Sequence, residues 1–364
     1  MRVMLANSET GMRGGEYQTC ALASGLMERG CKVALLSAPG AAISKAAPDG
    51  VSLFSARYEN PPFLTPLSVR RIVRDWKPDL IHAQTSRAHT HMRLAGALDS
   101  LFPPLVVSRR VAFGVSRGLA GFLKYRTGVS RFIAVSEAAA SKLKEAGVGE
   151  SMISVVRSGV DTEKLASADA DTELGASFGI REGETVIGTV ASFEREKGYP
   201  TLMEAAGEVA GRHPDTRFLL QGSGSMEGYI RAQAGRGKLN GRVSLISPEV
   251  PLEKVLPLLD IFVLPSYCEG LSTALISAMA AGIPPVASDT GGIPEVLAEG
   301  AGILVEPGDS IALATTISAL AVDRAERARL SEIARRRASE FDIRKTVKST
   351  YDIYNEITSE RGRE

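Results

Sequence analysis

The stretch 261–295 limits the fold more than any other part of the chain. It begins Ile261-Phe262-Val263-Leu264, an apolar run with no polar alternation. Such a run is a strand buried on both faces, the pattern of a parallel sheet covered by helices. Pro265 has no N–H for a ladder and stops the strand. A short polar loop then carries one carboxylate, Glu269. Ser272 is suited to cap a helix of small residues, which Gly282 ends with Pro284 and Pro285 behind it. Pro285 to Ala287 restart a strand, and Gly291-Gly292 open the next loop. The loop before the helix is a ready anion site, because unpaired backbone N–H groups and the helix dipole both face it. Glu269 in the same loop is an acceptor-only group suited to hydroxyls. Phosphate donors beside a hydroxyl acceptor point to a sugar nucleotide.

The same alternation runs through the rest of the chain. Strand-like runs occur at Val3 to Ala6, Val33 to Leu36, Leu80 to Ala83, Leu105 to Ser108, Phe132 to Val135 and Ile153 to Val156. The turn after the first holds Gly11, Gly14 and Gly15, whose spacing is not that of a dinucleotide-binding G-x-G-x-x-G. Around 158–183 the pattern gives way to Ser, Ala, Asp and Gly, and it restarts with strands at Val186 to Val190, Arg217 to Gln221, Val243 to Ile246 and Gly302 to Val305. The end reads as helix: Ala312 to Ala321, Arg324 to Phe341, and Ile343 to Ile357. A chain of 364 residues is too long for one ordinary core. These observations predict an α/β protein of two doubly wound, Rossmann-like domains. Their expected extents are 1–165 and 166–340, with 341–364 as a last helix. Carboxyl ends of strands from both would face a cleft.

Charge divides unevenly between the halves. Residues 1–168 hold 22 Lys+Arg against 13 Asp+Glu, and residues 169–364 hold 21 against 29. The first half therefore suits an anionic partner, although two surfaces of opposite charge would look the same. Basic residues lack the interleaved stacking aromatics of a nucleic-acid binder. Cys20, Cys31 and Cys268 form no C-x-x-C pair, which argues against a disulfide framework or zinc site and fits a reducing cytoplasm. Val3-Met4-Leu5 directly after Met1-Arg2 reads as a first strand rather than a signal peptide. No window reaches the ~18 apolar residues of a membrane span.

Several short motifs, weak singly, are specific in their order. They are Gly14, Gly15 and Glu16; Val135-Ser136-Glu137; Ser158-Gly159-Val160-Asp161; Glu196-Lys197-Gly198; Gly222-Ser223-Gly224; Pro265-Ser266 through Glu269-Gly270-Leu271; and Gly291-Gly292-Ile293-Pro294-Glu295. Together they resemble glycosyltransferase family 4, retaining enzymes of the GT-B fold, over essentially the whole chain. The resemblance implies transfer of a sugar from a nucleotide-sugar donor, UDP- or GDP-linked, to a saccharide or lipid-linked acceptor, with no metal and no other cofactor. It implies that Lys197 binds the donor diphosphate and Glu269 the donor sugar. Backbone N–H groups of Gly270, Leu271 and Ser272 would face the diphosphate, Gly222 would line the donor site, and Gly14 and Gly15 would admit close approach. The first domain would take the acceptor and the second the nucleotide-sugar, with the last helix crossing back to the first. Cell-surface polysaccharide or lipopolysaccharide synthesis, at the cytoplasmic face of the inner membrane, is the expected setting.

Three positions depart from the family pattern. Ser277 stands where the family has a second glutamate for the ribose, and Ser192 where it has an arginine ahead of the lysine; Arg195 is a nearby substitute. Arg109-Arg110 follow the strand after which many members place a histidine near the donor sugar. Arg110 therefore joins Glu269 and Lys197 as a catalytic candidate. Glu16, His82, His89 and Arg109 are acceptor-binding candidates, with a structural role open for both histidines. Phe113, Leu119, Phe122 and Leu123 interleave with Arg117, Lys124 and Arg126, as in a peripheral membrane surface or in an ordinary core-facing helix. A non-catalytic sugar-nucleotide-binding protein and a sugar-nucleotide epimerase on the same scaffold stay open as alternatives.

Overall fold

The computed structural model describes residues 1–58, 64–97, 99, 101–110, 124–125 and 127–361. The chain divides into two compact units, Met1–Gly159 with Ile343–Glu364, and Val160–Asp342. The boundary falls before Val160, six residues earlier than the expected 165, for a local reason. Val160 N–H donates to Phe341 O at 2.9 Å, Thr162 Oγ1 donates to the Asp342 carboxylate at 2.7 Å, and Asp161 caps the helix Thr162–Ala166. Those bonds tie the segment entering the second unit to the segment leaving it.

The first unit is a parallel sheet of β1 (Arg2–Ala6), β2 (Lys32–Ser37), β3 (Ser52–Ser55), β4 (Leu80–Ala83), β5 (Leu105–Arg109), β6 (Arg131–Ala134) and β7 (Ile153–Val155). Their spatial order is β3-β2-β1-β4-β5-β6-β7. β1, β2, β4 and β6 are the expected apolar runs and are almost wholly buried. β3 was not expected: it is an edge strand with alternating burial, and its Ser-Leu-Phe-Ser sequence carries little apolar signal. The helix Ile343–Arg361 belongs to this unit and packs on the helix Gly14–Glu28. A Cβ on Gly25 would lie 2.6 Å from Val347 Cγ2, so the two helices meet where one side chain is missing.

The second unit is a parallel sheet of β8 (Thr185–Val190), β9 (Thr216–Gln221), β10 (Val243–Ile246), β11 (Ile261–Leu264), β12 (Pro285–Ser288) and β13 (Ile303–Val305), in the order β10-β9-β8-β11-β12-β13. Its core joins Ile187, Phe218, Ile261, Val263 and Val286 of the sheet to Leu202, Val209, Leu313 and Ile317 of covering helices. The expected α/β architecture of two doubly wound sheets holds. Strand order reverses between β1 and β4 in one unit and between β8 and β11 in the other. Open parallel sheets bind ligands beyond the carboxyl ends of strands at such a reversal. The loops there are 7–13 and 84–85 in the first unit and 191–194 and 265–272 in the second; the last carries Pro265, Ser266, Glu269, Gly270 and Leu271, and the motifs at 14–16 and 196–198 begin within two residues of 7–13 and 191–194. Among the described residues no helix is long and apolar enough to cross a membrane.

Candidate donor and acceptor sites

In the second unit three loops are fastened to one another. Lys197 ends the short turn Arg195–Lys197. Gly198 follows at φ +70°, so close beneath β11 that a Cβ would lie 1.8 Å from Pro265 O. Tyr267 N–H donates to Glu196 O at 2.8 Å, and Tyr267 OH meets Thr201 Oγ1 at 3.0 Å. On the other side Gly291, at φ +56°, packs on Glu269 O, and Thr290 Oγ1 donates to Tyr267 O at 3.3 Å. The loop after β8 is held in turn by Gly222, where a Cβ would lie 2.0 Å from Ala191 O, and by Phe193 N–H donating to Ser223 O at 2.8 Å.

This clamp brings Lys197 Nζ to 2.6 Å from Glu269 Oε2, with Ser266 Oγ donating to the same oxygen at 3.4 Å. The two charged side chains are 20% and 12% exposed, so the pair is largely withdrawn from water but still open to a ligand. Ser272 Oγ accepts from Leu275 N–H and caps the helix Thr273–Ala280, as expected. The N–H groups of Gly270, Leu271 and Ser272 donate to no acceptor among the described residues. A cation from one loop thus meets a carboxylate and uncommitted N–H groups at the helix start of another, an arrangement able to hold an anion and a polyhydroxyl group together. Ser277 is buried on that helix, Ser192 is half-buried on the loop after β8, and Arg195 is exposed. The sequence places Ser266 in the Pro265-Ser266 motif without a role; in the structure it is a wholly buried polar residue just past a strand's end.

In the first unit Glu16 is 3% exposed and fully engaged. Its carboxylate accepts from Asn7 Nδ2 at 2.9 Å and from Arg13 N–H at 3.1 Å, which makes it a cap of the helix Gly14–Glu28 rather than an open ligand group. Arg110 stretches over Gly15, whose Cβ would lie 3.6 Å from Arg110 Cδ, and donates to Gln84 Oε1 at 2.5 Å. Burial lowers the Arg110 pKa to about 10, with Glu16 opposing the shift. Gly15, Glu16, Gln84 and Arg110 therefore gather at the β1–β4 reversal. Arg109 turns instead toward Tyr125 OH, 3.5 Å away.

The two candidate histidines are core residues, each 1% exposed. His82 Nδ1 is bonded to Tyr354 OH and Nε2 to Ser108 Oγ, so both ring nitrogens are engaged within the core. His89 packs edge-on against Tyr125 and Phe132. Burial pushes both pKa values down to about 3 from 6.5, with Arg110 adding to the shift at His82 and Lys124 and Arg93 at His89. The unfolded chain takes up protons near 6.5 that the folded unit refuses. Their stabilisation is therefore complete above pH 6.5 and lost as pH falls toward 3. Each ring is expected to cost up to about 1.4 kcal/mol per pH unit in that window. Urea midpoints at pH 7 and pH 5 measure it, and His89→Phe should reduce the slope, His82 and the likewise lowered His91 supplying the remainder.

Of the interleaved basic and apolar stretch, Phe113, Arg117, Leu119, Phe122, Leu123 and Arg126 lie outside the described residues.

Residues 12–164 match the model of Glycosyltransferase Family 4, and residues 171–337 match that of Glycosyl transferases group 1. The chain belongs to this family, the group 1/family 4 glycosyltransferases. It is 31% identical over 186 residues to a 2-deoxystreptamine glucosyltransferase of Streptomyces kanamyceticus, covering 50% of this chain and 48% of that protein. It is 30% identical over 217 residues to a D-inositol 3-phosphate glycosyltransferase of Corynebacterium urealyticum, covering 56% and 51%. The chain thus spans about half the length of the curated relatives it matches. The fold is similar to that of Anabaena HepE in complex with UDP-glucose, with a TM-score of 0.84 at 20% identity over 98% of this chain and 100% of that one.

Proposed function

We propose that the chain is a retaining glycosyltransferase that moves a sugar, a hexose, from a nucleotide-sugar donor to a saccharide or lipid-linked acceptor without a metal. The single observation that carries this reading is the Lys197–Glu269 pair at the start of the helix Thr273–Ala280. Lys197 and the N–H groups of Gly270, Leu271 and Ser272 would take the diphosphate, as protein donors in place of a metal cation. Glu269 would accept hydroxyls of the sugar. The reaction is a front-side displacement: the acceptor hydroxyl attacks the anomeric carbon on the face the diphosphate leaves, and a leaving-phosphate oxygen receives its proton. No second carboxylate is needed for that step, so Ser277 in place of glutamate does not remove a nucleophile. Arg110 is the catalytic candidate of the first unit, which would take the acceptor. UDP is the favoured nucleotide, since HepE was solved with UDP, with UDP and glucose, and with UDP-glucose. The setting is cell-surface polysaccharide or lipopolysaccharide synthesis, in the cytoplasm or peripherally on the inner membrane.

The test is a thermal-shift panel of UDP, GDP, ADP and TDP and their sugar conjugates, with and without magnesium. A ligand at about 100 times its dissociation constant adds roughly 2.7 kcal/mol. A shift with one nucleotide class, unchanged by magnesium, is the expected result. No shift with any would mean that the Ser192 and Ser277 replacements have weakened the donor site and would count against nucleotide-sugar use; a shift without turnover would favour the non-catalytic sugar-nucleotide-binding alternative. Ser277→Glu is expected to tighten nucleotide binding, by roughly tenfold for one charge-assisted hydrogen bond to ribose. Calorimetry with UDP reads that change directly.

A further inference from the structure

Among the described residues, two helices of eight residues or more carry no charged side chain, Thr273–Ala280 and Ser310–Val322. A helix that is uncharged all round belongs in a protein interior. The first obeys that rule, since Leu275, Ile276, Ser277, Ala278, Met279 and Ala280 are all buried. The second breaks it. Leu313, Ala314, Ile317 and Leu320 enter the core of the second unit, but Ile311, Thr315, Ala319 and Val322 face solvent. Ile311 is 76% and Val322 68% exposed. Spacings of four, four and three residues put these four side chains in one row along the helix. The row runs for about three turns without a charge and is apolar at both ends, which marks it as a surface that another molecule covers.

The row reads alike in both directions: a branched aliphatic residue, two small residues, a branched aliphatic residue. Such a row complements itself when two copies of the helix cross antiparallel about a twofold axis. Ile311 of one copy then lies against Val322 of the other, and Thr315 against Ala319. The small residues at the centre let the two backbones approach closely. Charges at the ends agree with that orientation. Glu306 and Asp309 precede the helix, and Arg324 follows it, all three exposed. Antiparallel crossing sets the acids of each copy near Arg324 of the other and opposes the helix dipoles, whereas parallel crossing sets acid against acid. A lipid surface fits less well, because Glu306, Asp309 and Asp323 border the row and an anionic leaflet repels them.

We propose that the outer face of the helix Ser310–Val322 is a self-association surface, through which the second unit pairs with a second copy of this chain about a twofold axis. One helix crossing is a small contact, so the dimer is a weak one that forms as concentration rises.

Sedimentation velocity on the full chain, from about 1 to about 300 µM, is the test. The expected result is a rise from 38.6 kDa toward twice that mass. Ile311→Lys and Val322→Glu should each weaken pairing by at least about tenfold, since each site occurs twice in a twofold interface. An equimolar mixture of the two variants should recover the dimer, because the new ammonium group of one copy then meets the new carboxylate of the other. Parallel pairing gives no such recovery. Both sites face solvent, so urea midpoints close to the parent's are expected and show that each variant is folded. A chain that stays monomeric over the whole range, pairing that neither substitution alters, or a mixture that does not recover would each overturn the proposal. So would a monomer that floats with phosphatidylglycerol vesicles and ceases to do so in Val322→Glu, which would assign the face to a lipid surface instead.

Discussion

Glu269→Ala is expected to lower turnover by about 10²–10³-fold while leaving the affinity for UDP within about tenfold of the parent. The asymmetry follows from what each group of the loop touches. The diphosphate would be held by Lys197 and by backbone N–H groups, which the substitution leaves in place. The sugar would be held by the carboxylate, which it removes. One or two charge-assisted hydrogen bonds, each worth about 1.5–3 kcal/mol, would then be missing where the sugar gains positive character in the transition state. Lys197, 2.6 Å from Glu269 and mostly buried, would also lose its partner, so some loss of stability should accompany the loss of rate. Glu269→Gln separates the two effects: it keeps the shape of the loop and one acceptor oxygen but not the charge. Steady-state kinetics with UDP-sugar and calorimetry with UDP decide the matter. Full turnover in Glu269→Ala would remove this loop from the proposed chemistry, and a matched collapse of UDP affinity would mean that the carboxylate only supports the fold.

The site was legible where chemistry and local structure coincide in a few consecutive residues. Pro265, Glu269, Ser272 and Gly282 each act locally, as strand stop, acid, cap and helix end, and each does so in the structure. Strands β1, β4, β11 and β12 were legible because burial on both faces demands unbroken apolar runs. The misses are tertiary. His82 reads as a strand-end ligand, yet its Nδ1 partner, Tyr354, is 272 residues away, and nothing near His82 in sequence shows that. Glu16 reads as an acceptor-binding acid beside a glycine turn, yet Asn7 and Arg13 N–H take up its carboxylate. Arg13 at the cap position has no acceptor to offer, so this is only the Glu16 half of a capping box, without the Ser or Thr that would have announced it. The boundary at Gly159 was placed late because the helix Thr162–Ala166 has a composition like that of a linker, and only its bonds assign it to the second unit.

Gly291→Ala is expected to cost far more than a methyl group ordinarily would, in stability and in rate together. Gly291 adopts φ +56°, a conformation that costs a residue with a Cβ about 1–2 kcal/mol. Space adds to the strain, since the new Cβ would lie 1.7 Å from Glu269 O, well inside any real contact. The neighbour that must move is backbone, in the residue proposed to hold the donor sugar, and Gly292 N–H donates to the same oxygen at 3.4 Å. Relief therefore requires the 265–272 loop to shift, and a displacement of about 1 Å at a reacting group can cost 10²-fold in rate. Gly300→Ala provides the control. It has a similar φ of +74° but nothing within 4 Å of the added Cβ, so it carries the backbone strain without the collision. It should lose about 1–2 kcal/mol and keep its turnover. Urea unfolding and kcat measured on both variants separate the contributions: the excess of Gly291→Ala over Gly300→Ala is the collision alone. Equal losses in the two would mean that the loop yields without moving Glu269, and that the close packing of Gly291 on its carbonyl does not position the carboxylate.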